Sequence, residues 1–331
     1  MLSVKWAIDP ARTKRCGRRS RPNHSAWKEL RMLIGVEWTS QAFCADLIED
    51  DGRVIDVVQN ATGTTAVRDR RFAETFSELL PQVWRNQAKA AYFSGMITGR
   101  GGWVETGFVA APAGLSDIGR AAVTHADAEL TLTFLPGVSS LAALPDVMRG
   151  EEIRALAAAG QANATVVMPG LHTKFVTVEA ERIARLGTYV GGETAKLLSR
   201  DSLVSRLIPD GAAISEAGFD RGVATAWDQS LPGGALRRLF SARSLVLFDR
   251  MPPDEIAGYI LGLLVGAEIA EAEQEWPLRN GPVLVLGPGV EAQRYIRALR
   301  QRGIEAEHRQ VSAAPSFAKL HQVLSRPEQF A

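Results

Sequence analysis

PDVMRGEE, residues 145–152, gathers Asp146, Arg149, Glu151 and Glu152 around one glycine. That set can combine acid–base and anion chemistry, because a carboxylate orients a hydroxyl and takes its proton while a guanidinium fork holds a carboxylate or phosphate. Val147 and Met148 are expected to point inward, which would set the charged groups beside buried surface. MPGLHTK, 168–174, puts His172 and Lys174 two residues apart after a Pro-Gly turn. On an extended chain both project from one face, so they are expected to converge on an anion. SGMITGRGGW, 94–103, carries four glycines and Arg100. That is the composition of a loop whose backbone approaches an acidic ligand closely while one guanidinium grips it; its plainer reading is a flexible turn.

GVEWTSQAF, 35–43, raises a different question, because Glu37 is an acid where most strands carry an apolar residue. Either it is a functional carboxylate beside a phosphate-binding turn, or the polar residues of this strand merely face water. Gly287-Pro288-Gly289 turns a strand-like VLVLG into a helical segment. Such a turn directs backbone N–H groups and a positive helix end at one point, although most such turns are only connections. GxxxxGK[ST], GxGxxG after a first strand, HExxH and GxSxG are all absent, which removes the common nucleotide, zinc and serine-hydrolase signatures.

The elements that must position these residues come in two similar sets. Residues 32–37, 41–48 and 53–59 read as meandering strands, with Asp51-Gly52 as a turn. A helix is predicted over 69–85, where Phe72, Phe76, Leu79, Leu80 and Val83 recur at helical spacing, and a strand follows at 90–94. From 165 the opening repeats, with strands at 165–168, 173–178 and near 186–190. At an offset of 132 residues Val36 meets Met168, Phe43 meets Phe175 and Val54 meets Leu186, so the apolar faces coincide. Two similar α/β domains are expected, 32–158 and 159–331, meeting near the small and polar residues at 155–162. Helices are predicted at 192–206, up to about 228, at 254–273 and at 291–302, with a strand at 283–287.

Composition bounds the rest. With 331 residues, 46% apolar and 23% charged, the chain suits two globular domains. Its net charge of +1 hides a basic arm: residues 1–31 hold nine Lys/Arg against two acids, about +7. Clustered cations attract polyanions, but the plainer reading is a disordered extension ahead of Met32, and nucleic acid is not expected as a partner. The arm has no continuous apolar stretch of a secretory signal. IAGYILGLLVGAEIA, 256–270, is too short to cross a bilayer and carries Glu268, so it reads as a buried helix, with no membrane partner. Cys16 and Cys44 stand in unlike contexts, which supports neither a disulfide framework nor a zinc site, and a cytoplasmic address is expected.

SGMITGRGGW (94–103), VMRGEE (147–152), Pro169-Gly170 with His172 and Lys174, GGE (191–193) before Leu197-Leu198, and GLLVGAE (262–268) together resemble the motif series of 2-dehydro-3-deoxygalactonokinases. The resemblance covers about 32–325. It implies an α/β fold of two ribonuclease H-like (actin-like ATPase) domains with an interdomain cleft. It also implies a kinase that moves the γ-phosphate of ATP, with Mg²⁺, to the 6-hydroxyl of 2-dehydro-3-deoxygalactonate. Carried over residue by residue, it implies Asp146 as base or hydroxyl-orienting group, with Glu152 next. It gives Arg149, Arg100 and Glu151 to the sugar acid, and Thr39, Ser40, Gly170, His172, Lys174, Gly287 and Gly289 to the nucleotide. Glu37 is implied to hold Mg²⁺ through water, and a homodimer is compatible with the resemblance. This sequence departs from the family pattern where Glu37 stands for an aspartate, Thr39 for a glycine, Cys44 for an arginine, Leu171 for a threonine and Ile153-Arg154 for Thr-Gln. Those departures leave a second expectation open, a descendant that binds a sugar acid or nucleotide as a sensor or partner without turnover.

Overall fold

The computed structural model describes residues 32–126 and 130–325; the basic arm with Cys16 lies outside them. In β1 (Met32–Trp38), period-two alternation sends Met32, Ile34, Val36 and Trp38 into an apolar layer with Phe72, Phe76, Phe93 and Phe134. Leu33, Gly35 and Glu37 face the other way. β1 pairs antiparallel with β2 (Phe43–Ile48), and β2 with β3 (Val54–Asn60) across a turn in which Gly52 takes φ +89°. The helix expected over 69–85 is two helices, α1 (Phe72–Leu79) and α2 (Gln82–Gln87). Pro81 has no N–H to donate and disfavours helical backbone at Leu80, which is extended.

β4 (Ala88–Ser94) lies parallel to β1. It is followed by β5 (Phe108–Ala110), β6 (Ala113–Gly114), α3 (Leu115–Arg120), β7 (Val123–Ala126), β8 (Thr131–Phe134), β9 (Gly137–Ser140) and β10 (Asp146–Met148). These elements are too short to carry a readable period. The chain continues through α4 (Glu151–Ala159), β11 (Ala164–Met168), β12 (Thr173–Glu179), β13 (Arg182–Tyr189), α5 (Gly191–Arg200) and α6 (Glu216–Trp227). It ends with α7 (Ala235–Leu239), α8 (Ser241–Leu247), α9 (Ile256–Glu275), β14 (Val283–Val285), α10 (Gly289–Gln301), β15 (Ala306–His308) and α11 (Ala314–Ser325).

The two large sheets run β3-β2-β1-β4-β8-β7 and β15-β14-β11-β12-β13-β6. Each places the third, second, first and fourth strands of its own set side by side in that order, so the repeat visible in the two openings extends over four strands, with β8 and β15 next to the fourth. β5, β9 and β10 form a small third sheet.

The two sheets share the layer between them. Helix α4 packs on β11, β12 and β13, while α11, from the far end of the chain, packs on α3, α4, β1 and β2. Phe317 of α11 lies so close to Gly35 that a Cβ there would sit 2.3 Å from its ring. Consequently Leu33, Tyr92, Ile153, Val166, Val176 and Phe317 belong to one continuous core. Each sheet's outer face has a core of its own. The apolar stretch expected to be a buried helix is α9, and α6 crosses it at backbone contact: a Cβ on Gly262 would lie 2.0 Å from the Phe219 carbonyl oxygen. Among the described residues no helix is long and apolar enough to cross a membrane.

Candidate active site

The carboxyl ends of β1 and β4 meet the N-terminus of α4. Glu37 lies beside Ser94 in the parallel ladder and opposite Cys44 in the antiparallel one. Gly150 takes φ +110° and passes over Gly95, where a Cβ would come within 3.0 Å of the Gly95 Cα. Glu152 folds beneath this turn and is 1% exposed. Its oxygens accept the Gly150 N–H at 2.7 and 2.9 Å, and Oε1 accepts Ser94 Oγ at 3.3 Å. Expected as the second candidate base, Glu152 is buried and ties α4 to β4 through these contacts.

Burial first, and Glu151 second, push the Glu152 carboxyl up to about 8. Because the folded-state value lies above the ordinary 4.5, the protonated form stabilises the fold; that contribution is full below the ordinary value and is lost as pH rises through about 8. Stability measured by denaturant titration is expected to fall by a few kcal/mol between about pH 5 and about pH 9, and Glu152→Gln to flatten the fall. An unchanged slope in the variant would assign the pH dependence elsewhere.

Arg149 was expected to grip the sugar acid. Its Nη1 donates to Thr98 O, Thr98 Oγ1 and Thr106 Oγ1 at 2.8, 2.9 and 2.7 Å, and its Nη2 to the Thr106 and Gly107 carbonyls at 3.0 Å each. The guanidinium also lies 4.3 Å over the Phe108 ring. Its Nη donors are therefore spent on Thr98 of the glycine-rich segment and on Thr106 and Gly107 just beyond it, which it pins to the end of β10. Glu151 accepts the Arg149 N–H at 3.0 Å, a local turn contact rather than a substrate contact. Val147 is 47% exposed and Met148 2%, so only Met148 points inward, as alternation on a strand requires.

Asp146 and Lys174 do converge, through Thr188. Asp146 Oδ2 accepts the Thr188 N–H at 2.6 Å, and Oδ1 accepts Thr188 Oγ1 and the Val147 N–H, both at 2.7 Å. Lys174, 8% exposed, donates to Thr188 Oγ1 at 2.7 Å and to the Val147 carbonyl at 3.2 Å. Lys174 faces Thr188 across the β12–β13 ladder. This chain of contacts joins β10 to β12 and β13, so it bridges the two strand sets. One lone pair remains on Asp146 Oδ2 and one N–H on Lys174, since a carboxylate has about four acceptor sites and an ammonium three donors. Sequence reasoning missed Thr188 because the β12–β13 turn is carried by Ala180 and Glu181, both at positive φ, with no glycine or asparagine to mark it.

His172 does not share a face with Lys174. It lies in the turn before β12, where strand alternation has not begun, and its Nε2 meets Glu193 Oε2 at 2.9 Å. Glu193 also donates its N–H to the Leu171 carbonyl at 2.9 Å. Gly170 stays exposed beside them, its carbonyl 2.0 Å from where a Cβ on Gly192 would lie. Beneath the same turn, Thr173 Oγ1 bonds Tyr295 Oη at 2.8 Å, Tyr295 Oη donates to Glu268, and Glu268 accepts the Gly191 N–H at 2.8 Å. Glu268 and Tyr295 thereby fix both ends of the second hairpin and were missed as its supports.

Thr39 Oγ1 accepts the Gln41 and Ala42 N–H groups at 3.3 and 3.0 Å, which caps the first hairpin, while the Ser40 carbonyl accepts Thr65 Oγ1 at 2.7 Å. Arg100 is exposed, with no hydrogen bond or ion pair to another described residue. Gly287 takes φ +114° and its carbonyl meets His308 Nε2 at 3.1 Å, and Gly289 begins α10.

Glu37 answers the question of its buried acid differently from expectation. Arg154 of α4 forks onto it, Nε to Oε1 at 2.5 Å and Nη2 to Oε2 at 3.1 Å. Among the described residues no three carboxylate, histidine or cysteine groups converge as a metal cage. The guanidinium takes one acceptor site on each Glu37 oxygen and neutralises the carboxylate, and a positive charge seated there opposes a divalent cation at the same group. Next to it, burial pushes the Cys44 thiol up to about 12 and the Asp46 carboxyl up to about 6.

The family model described as 2-keto-3-deoxy-galactonokinase matches residues 37–319. The chain belongs to this family. A relative from Rhizobium meliloti (strain 1021), named a 2-dehydro-3-deoxygalactonokinase, is 30% identical over 275 residues, covering 81% of this chain and 89% of the relative. The 2-dehydro-3-deoxygalactonokinase of Escherichia coli (strain K12) is 27% identical over 277 residues, covering 82% and 90%. The crystal structure of a Sinorhizobium meliloti protein named for the same kinases superposes with a TM-score of 0.78 at 28% identity, covering 89% of this chain and 98% of that one. For a member of this kinase family the reaction class is phosphoryl transfer from ATP to a small molecule, and the expected α/β fold with two large sheets of like strand order stands.

Proposed function

We propose that the protein transfers the γ-phosphate of ATP to the 6-hydroxyl of 2-dehydro-3-deoxygalactonate in the cytoplasm. The observation that carries this reading is the Asp146–Thr188–Lys174 chain, which leaves one acceptor and one donor side by side at the junction of the two strand sets. Phosphoryl transfer asks mainly for positioning and charge. Asp146 Oδ2 orients the sugar hydroxyl and takes its proton as the oxygen attacks phosphorus and the bond to ADP breaks. The third N–H of Lys174 faces the transferring phosphate. Arg100 is assigned to the substrate carboxylate, since its fork has no partner among the described residues and stands on a glycine loop pinned by Arg149.

Thr39 and Ser40 on the first hairpin and Gly170 and His172 on the second are assigned to the ATP phosphates, and Gly287 and Gly289 to the far end of the nucleotide. Mg²⁺ is the counter-ion expected to arrive with ATP, and no residue of the first hairpin is assigned to it. A coupled assay is expected to record ADP release that depends on added 2-dehydro-3-deoxygalactonate. No release with any of a panel of keto-deoxy sugar acids would reject the reading and leave binding without turnover.

A further inference from the structure

The place where the fold would accept a metal beside the first hairpin already holds a cation. Glu37 projects from the carboxyl end of β1, and its side chain is only 12% exposed. Both of its oxygens are engaged by the Arg154 fork. The guanidinium reaches it from α4, the helix that lies on β11, β12 and β13, so the pair spans the shared layer. The other groups facing this point are Cys44, opposite Glu37 in the ladder, and Asp46, one pleat further along β2 on the same face. Asp46 accepts Ser312 Oγ at 3.1 Å and is 6% exposed. The Glu37 and Asp46 carboxylates and the Cys44 thiol therefore lie on one side of a single, partly exposed guanidinium, and Glu151 of α4 also acts on it. Arginine keeps its charge at any working pH, and its planar fork matches a carboxylate bidentately.

We infer that Arg154 is the resident cation of the first hairpin, occupying Glu37 in place of a divalent metal and setting the direction of that carboxylate in the cleft. The inference deepens the kinase reading and rests on it for its catalytic consequence, but not for its binding consequence. Arg154 is a positioning residue here, acting through Glu37. Without it, Glu37 and Asp46 would face one another with no partner charge, a pair of oxygens that a hard divalent ion can use.

The test is a titration of nucleotide-free full-length protein with Mn²⁺ alone, following free Mn²⁺ by its paramagnetic resonance signal, so that no turnover is needed. Wild type is expected to bind no Mn²⁺ at this point. Arg154→Gln is expected to gain one site at least about tenfold tighter than any in wild type, and Glu37→Gln with Arg154→Gln to lose it. Wild-type binding that Glu37→Gln weakens and Arg154→Gln leaves unchanged would overturn the inference, as would an Arg154→Gln protein that is folded by circular dichroism and gains nothing. Should Arg154→Gln not fold, Arg154→Lys supplies the comparison: it keeps the charge without the fork, and is expected to show weaker exclusion of Mn²⁺ than wild type. Exclusion equal to wild type in that variant would also overturn the role of the fork. Loss of ADP release with a sugar acid would reject the kinase reading while leaving this titration to stand.

Discussion

Asp146→Asn is expected to lower kcat by about a hundredfold or more, the range that a positioned general base contributes. The substitution keeps the shape of the side chain and removes its charge. An amide offers one oxygen acceptor where the carboxylate offered two, and its NH₂ would face the Thr188 N–H, donor against donor. Two contributions therefore fall together, the proton acceptor and the clasp on β13. They separate kinetically. Loss of the base lowers kcat at nearly constant KM for ATP, whereas loss of the clasp moves Lys174 and raises that KM. Thr188→Val leaves Asp146 charged and removes only the bridging hydroxyl, so it is expected to act mainly on KM. Retention of kcat in Asp146→Asn to within about threefold would remove Asp146 from the reaction.

Arg149→Lys is expected to destabilise the protein by roughly 2–5 kcal/mol, because a buried acceptor left without its donor costs about 1–3 kcal/mol. Arg149 serves five acceptors on Thr98, Thr106 and Gly107 and stacks on Phe108. Lysine has three donors on a point charge and no plane to stack, so at least two of those acceptors lose their Arg149 donor. Thr98 O and Gly107 O keep the Thr106 and Gly137 N–H groups, whereas Thr106 O does not have such a second donor among the described residues. Thermal melting is expected to shift down by roughly 5–10 °C. Hydrogen exchange should also speed up within the glycine-rich segment before it does so in β1 or β11, since the guanidinium is what holds that segment. An unchanged melt, or loss of protection spread evenly over the chain, would show that the contacts are redundant.

Both variants probe residues whose motif was visible in the sequence and whose job was not. VMRGEE and PG-H-K stand out because charged residues beside glycines are unusual, and both lie within the family match over 37–319. The repeat of the two strand openings was legible for a similar reason: period-two alternation is local and survives without residue identity. Arg149, Glu151 and Glu152 were read as a group facing a ligand because all three are charged. The tertiary structure gives all three partners within the protein, since donor and acceptor capacity is spent on whichever groups the fold brings near.

The amino-acid sequence by itself determined the strand sets, the buried nature of α9 and the family. It did so because hydrophobic period, turn chemistry and motif order are properties of neighbouring residues. Only the tertiary structure decided that α4 and α11 fill one layer between the sheets, that Thr188 links Asp146 to Lys174, and that Arg154 meets Glu37 from 117 positions away. Those pairings depend on long-range register and helix placement, and nothing in a local stretch of chain encodes which distant group will complete a buried charge.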